Sequence, residues 1–123
     1  MEAVEINAGT WYLRALRADD RITDVPALSD LGVADASSFV ASAADGWRRE
    51  TEFVWGVCIP TTGELVCLIG VTPEGGDHQR GRLWGRARTG HGAALDAAAA
   101  PVARFAQGAL GVTVGALSDA LPT

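Results

Sequence analysis

The chain has 123 residues, 48% hydrophobic and 20% charged, which fits one globular domain over residues 1–123 and excludes a disordered tail. Its formal charge of −5, from 15 acidic and 10 basic side chains, offers no basic stripe for phosphates, so nucleic acid is not an expected partner. No apolar run approaches the roughly 18 residues of a membrane span, and Met1-Glu2-Ala3-Val4-Glu5 lacks the basic start of a signal peptide; a cytoplasmic protein without a membrane partner is expected.

Thr10 to Arg14 alternates β-branched, aromatic and aliphatic residues and reads as a first strand. Asp19 and Asp20 offer acceptors for a helix start, with Ile22, Val25 and Leu28 at helical spacing; Pro26 should interrupt or kink that helix, which should end near Gly32. A second helix is predicted from Asp35 to Arg49, because Phe39, Val40, Ala43 and Trp47 recur at steps of three and four. Trp47 on that apolar face is expected in the core.

Phe53 to Ile59 and Glu64 to Val71 flank Pro60-Thr61-Thr62-Gly63 and read as a β-hairpin. Pairing Ile59 with Glu64 sets Cys58 opposite Leu65 and puts Cys67 diagonal to Cys58 on the same face, where both thiols are expected as packing residues. The two cysteines have no zinc-site spacing, and a reducing compartment would keep them as thiols.

Thr72 to Asp77 reads as an exposed loop, and His78 beside Asp77 as a solvated pair. Four arginines around Leu83 and Trp84 leave His78 to Arg88 with few apolar positions, so any strand there should be short or at an edge. From Ala93 to Leu110 the positions Leu95, Ala98, Val102, Phe105 and Ala109 predict a long amphipathic helix, opposed only by Pro101 and stopped at Gly111. The tail from Val112 to Thr123 has room for one β segment.

Thr89-Gly90-His91-Gly92-Ala93-Ala94 stands directly before the long helix. Glycines there can turn successive amides toward one point, and the helix N-terminus adds partial positive charge, which suits a phosphate or pyrophosphate. On the hexapeptide alone a ligand-free start of a helix is the commoner explanation. The wider sequence shifts that balance. The order Trp11-Tyr12-Leu13-Arg14, Ala18-Asp19-Asp20, Thr61 to Val66, Thr89 to Ala97 and Arg104 to Val112 resembles the RimJ/RimL-like branch of the GNAT superfamily of N-acetyltransferases over roughly residues 10 to 112.

That resemblance implies an α/β (α+β) fold, a mixed, mainly antiparallel sheet flanked by helices. It implies acetyl-CoA as co-substrate and a primary amine of a protein N-terminus or a small molecule as acceptor; no metal is expected, because no cluster of His, Cys and carboxylates in the sequence has the density of a metal site. It carries Gly90, His91, Gly92, Ala93 and Ala94 over as pyrophosphate contacts, mostly through backbone atoms. His91 is otherwise read as an incidental loop side chain. Thr89 stands where the family has Arg or Gln, with Arg86 and Arg88 near enough to supply charge. Arg82-Leu83-Trp84-Gly85-Arg86 matches the family's strand only loosely and lacks its carboxylate base. Relatives continue well past the equivalent of Val112, so the resemblance implies a fold incomplete at the C-terminus, and an exposed sheet edge there would favour a homodimer. Three readings stand together: an active acetyltransferase, an inactive binding or interaction module, and a truncated product.

Overall fold

Gly9, at φ 64°, turns β1 (Ile6–Ala8) back onto β2 (Trp11–Arg14), so the expected first strand is the second arm of a hairpin. The structure, a computed structural model, describes residues 1–74, 79–119 and 121. Asp19 does not start a helix. Its carboxylate accepts from the amides of Arg21 at 2.9 Å and Ile22 at 3.0 Å, closing a turn bridged from Ala18 to Thr23. Helix α1 (Val25–Asp30) starts after Asp24 with Pro26 in its first turn, where amides have no intrahelical acceptor and proline's missing N–H leaves no bond unmade. Pro26 therefore opens the helix it was expected to interrupt. The stop near Gly32, at φ 89°, is where the sequence puts it.

Helix α2 (Ala36–Arg49) is capped by Asp35, which accepts from the Ser38 amide at 3.2 Å. Trp47 sits in the core, its Nε1 donating to the Val54 carbonyl at 2.9 Å and its ring edge-on to Phe53 and Trp55 at 5.2 and 5.0 Å. The hairpin forms as β3 (Phe53–Cys58) and β4 (Leu65–Glu74), with Ile59 donating to Glu64 at 3.0 Å and Cys58 opposite Leu65. The register slips between Val57, opposite Cys67, and Cys58, opposite Leu65, so Val66 is an extra residue. A one-residue insertion reverses which face follows. Cys67 packs with Val66 on one face and Cys58 with Leu65 on the other, contrary to the shared face expected for the two thiols. Both cysteines are buried and free.

Strand β4 runs on through Thr72, Pro73 and Glu74, which pair with Arg82, Gly81 and Arg80, so the loop expected from Thr72 starts later. Pro73 is tolerated because its nitrogen points to the side where β3 has already ended, at Phe53 opposite Val71. The expected His78 and Asp77 pair lies outside the described residues.

Strand β5 (Arg80–Ala87) is eight residues long and lies between β4 and β6 (Thr113–Val114), neither short nor at an edge. The few apolar positions mislead because small residues do the packing: Gly81, Leu83, Gly85 and Ala87 alternate with Arg80, Arg82, Trp84 and Arg86. A Cβ at Gly85 would stand 2.8 Å from Leu95 Cδ1, and one at Gly81 2.6 Å from Val112 Cγ1. Glycine at both positions lets α3 (Gly92–Phe105) and the chain after it press onto the sheet. Pro101 is accommodated inside α3, which continues into a π-type last turn (Ala106–Leu110) and ends at Gly111, φ 68°.

The six strands lie in chain order, antiparallel throughout except for the parallel β5–β6 pair. Leu95, Ala98 and Val102 of α3 cover one face with Val66, Cys67, Ile69 and Leu83; Leu28 of α1 and Ala43 of α2 cover the other with Val54, Leu68 and Trp84. This is the mixed, mainly antiparallel sheet flanked by helices that the sequence implies. No helix among the described residues is long and apolar enough to cross a membrane.

Candidate functional site

The parallel crossover from β5 through α3 to β6 puts the end of β5, the Arg88–His91 turn and the first turn of α3 at one end of the sheet. Arg88 donates its amide to Val66 at 2.9 Å, the last bond from β5 to β4. Even-numbered residues of β5 therefore bond to β4, and the backbone groups of Leu83, Gly85 and Ala87 face the other way. On that side Ser118 takes two of them: its amide donates to Leu83 at 2.9 Å, and its carbonyl accepts from Gly85 at 2.8 Å. The Gly85 carbonyl and the Ala87 N–H come next along the strand and meet no backbone partner among the described residues.

The structure brings Gly90, His91, Gly92, Ala93 and Ala94 together as one turn feeding α3. Gly90 has φ 86°, a conformation glycine alone adopts freely. His91 donates its amide to Arg88 at 2.9 Å and Ala94 to His91 at 3.1 Å, and among the described residues this turn leaves the amides of Gly90, Gly92 and Ala93 unbonded. From below, the Cys67 thiol donates to the His91 carbonyl at 3.3 Å. Burial holds that thiol protonated, with its pKa pushed up to about 12 although the Leu95 amide facing the sulfur opposes the shift.

Gly92 is the informative residue. A Cβ there would meet nothing within 4 Å, and its backbone is not left-handed, so neither packing nor conformation calls for glycine. Free amides, the positive end of a 14-residue helix and open space above Gly92 fit a pyrophosphate approaching the backbone closely.

Two expectations about charge change. Arg88 donates to Asp30 at 2.9 Å, Glu64 at 3.3 Å and the Leu65 carbonyl at 3.2 Å, so two carboxylates already balance it. Arg86 also turns toward the end of α1, donating to the carbonyls of Leu31 at 2.9 Å and Asp119 at 3.2 Å. Neither guanidinium is directed at the loop by these bonds, and the amides and helix terminus are what remain for an anion. Sequence reasoning missed the open Ala87 amide, the Ser118 bonds and the Cys67 contact. The signal for the first was present in the small-residue alternation from Gly81 to Ala87; nothing in the sequence marks Ser118.

No group of three or more His, Cys, Asp or Glu side chains among the described residues is placed to hold a metal ion. No protein-family model and no curated protein matches the chain. Two solved structures do. One is a protein of Vibrio cholerae assigned as a ribosomal-protein-serine acetyltransferase, with a TM-score of 0.75 at 15% identity over 93% of this chain and 75% of that one. The other is an acetyltransferase of Agrobacterium tumefaciens, with a TM-score of 0.59 at 19% identity over 89% of this chain and 70% of that one. At such identities the likeness is one of fold, and the fold of this chain is that of the GNAT acetyltransferases.

Proposed function

We propose that the chain is an acetyl-CoA-dependent N-acetyltransferase whose acceptor is a primary amine, on a protein N-terminus or a small molecule. The observation that carries this reading is Gly92: glycine at the first position of α3, required by nothing among the described residues, its amide one of three left unbonded there, in a GNAT fold. When bound, acetyl-CoA supplies an activated acyl group. The chain's own part is to bind and orient. The amides of Gly90, Gly92 and Ala93, with the α3 dipole, hold the diphosphate charge, and His91 and Ala94 close the turn that aims them. The Ala87 N–H, without a backbone partner among the described residues at the open side of β5, is the donor available to an amide carbonyl of the coenzyme A arm. β5 carries arginines and no carboxylate, so an acceptor amine would have to arrive neutral or lose its proton to water.

Isothermal titration with acetyl-CoA tests the reading. Saturable binding by the wild type, lost in Gly92→Trp, supports it; no binding by a folded wild-type chain overturns it. A second reading is favoured by the missing strand carboxylate: a GNAT-fold module that binds the cofactor without turnover. Incubation with acetyl-CoA and a set of peptide and small-molecule amines separates the two by whether free CoA accumulates above the hydrolysis background.

A further inference from the structure

The coenzyme A arm carries two amides in series, whereas among the described residues β5 leaves one carbonyl and amide pair unbonded on its open side, Gly85 C=O and Ala87 N–H. The next pair along the same side, Leu83 C=O and Gly85 N–H, lies two residues and about 6.6 Å further in, and Ser118 bonds both, at 2.9 and 2.8 Å. After Thr113 and Val114 pair with Arg80 and Gly81, the chain leaves β5 and returns at Ser118 beside Trp84. A side-chain clip holds it there: Arg86 donates to the Asp119 carbonyl at 3.2 Å while its other nitrogen donates to Leu31 at the end of α1, at 2.9 Å. Ser118 is a backbone contact on a strand edge, and strand edges are the surfaces on which extended, amide-bearing ligands dock.

We propose that the segment from Leu117 to Asp119 is a displaceable strap on the coenzyme A groove, occupying the β5 position that the second amide of the arm takes on binding. The proposal rests on the acetyl-CoA reading above. Binding exchanges two backbone bonds to Ser118 for two to the ligand, so the strap lowers affinity without closing the site. Ser118→Pro removes the amide that bonds Leu83; Arg86→Gln removes the charged clip to Asp119 and leaves the backbone of both strands intact.

The test uses free CoA, which cannot turn over, on the full chain. Amide hydrogen exchange should show Ser118 protected in the free protein and at least tenfold faster at saturating CoA, with Gly85 protected in both. Titration calorimetry should show Ser118→Pro binding CoA about fivefold more tightly than wild type, the scale expected from one hydrogen bond no longer lost, and Arg86→Gln binding about tenfold more tightly because the charged bond that clips Asp119 no longer holds the strap down. If CoA binds but Ser118 exchange is unchanged, or if Arg86→Gln binds no more tightly than wild type, the strap is overturned while the cofactor reading stands. If wild type and Arg86→Gln both fold and neither binds CoA, the cofactor reading fails and the strap with it. Should Ser118→Pro fail to fold, the wild-type exchange data and Arg86→Gln decide.

Discussion

Two polar clusters at the same end of the sheet contrast sharply. At the first, Arg14 and Asp24 are buried and bonded twice to each other, at 2.8 and 2.9 Å; Arg14 also donates to the carbonyls of Ala15 at 2.9 Å and Gly63 at 3.1 Å, and Asp24 accepts from the Arg17 amide at 2.6 Å. At the second, the loop before α3, three amides are unbonded among the described residues and a glycine stands where none of them requires one. Fully bonded polar groups in a dry place tie the β2 end, the α1 start and the hairpin turn into one scaffold. Open donors at the surface of that scaffold are available to a ligand. The contrast makes opposite forecasts: damage at the first should cost stability, and damage at the second should cost binding.

The largest effect is expected at the scaffold. Asp24→Ala leaves the Arg14 guanidinium buried without a counter-charge, a loss of about 3 to 5 kcal/mol. Urea unfolding followed by tryptophan fluorescence would read it. A loss below about 1 kcal/mol would put the pair in the class of solvated surface bridges and remove the contrast. An Arg14→Met and Asp24→Leu double variant, which removes both charges together, should recover most of the loss.

Alkaline pH offers the next effect. Burial raises Cys58 to about 11 and Cys67 to about 12, from an ordinary value of 9.0. A raised folded-state pKa means stability that is whole below pH 9, where both states hold the proton, and that falls as pH rises through 11 and 12. Between pH 9 and 10 each thiol should cost about 1 kcal/mol. The chain has no lysine to obscure this window, and Tyr12, raised chiefly by its side-chain hydrogen bond with Glu5, is the other side chain near it. Cys67→Ala should flatten the urea midpoint against pH by about half; an unchanged slope would locate the alkaline loss elsewhere.

Much of the scaffold is legible in the sequence because its signals are local and redundant. Asp35 before a period of three and four gives α2, and the Pro60 to Gly63 turn gives the hairpin with Cys58 opposite Leu65. Where reading fails, a distant partner decides. The one-residue bulge at Val66 reverses the face of Cys67, and no local feature announces it. β5 looks too charged for an interior strand because apolar contacts on it are made by Leu95 of α3 and by Val112 pressing onto glycines. The loop from Gly90 to Ala94 can be found by its glycines and position. Its free amides, the Ala87 N–H and the Ser118 bonds are backbone facts that side-chain identity does not encode.

Two glycines at the site sharpen the contrast at smaller scale. Gly85→Val should cost about 1 to 3 kcal/mol, since its Cβ would stand 2.8 Å from both the Leu68 carbonyl oxygen and Leu95 Cδ1, and one of these is backbone that cannot step aside. Thermal melting reads this directly. A neutral Gly85→Val would mean that α3 does not need close approach to β5.

Gly92→Ala should have the smallest effect on the fold and the most diagnostic one on function. Its Cβ enters open space at the first helical position, and alanine restricts the unfolded chain, so stability should be unchanged or higher by up to about 1 kcal/mol. If a diphosphate packs against that backbone, one added methyl group occupies the space the ligand needs. Acetyl-CoA affinity should then fall by about tenfold, measured by calorimetry at a temperature where both proteins are fully folded. The two readouts must move apart. A variant more stable and weaker in binding identifies Gly92 as a residue kept for a ligand, whereas one with unchanged affinity makes it an ordinary helix start and leaves the fold without a cofactor loop.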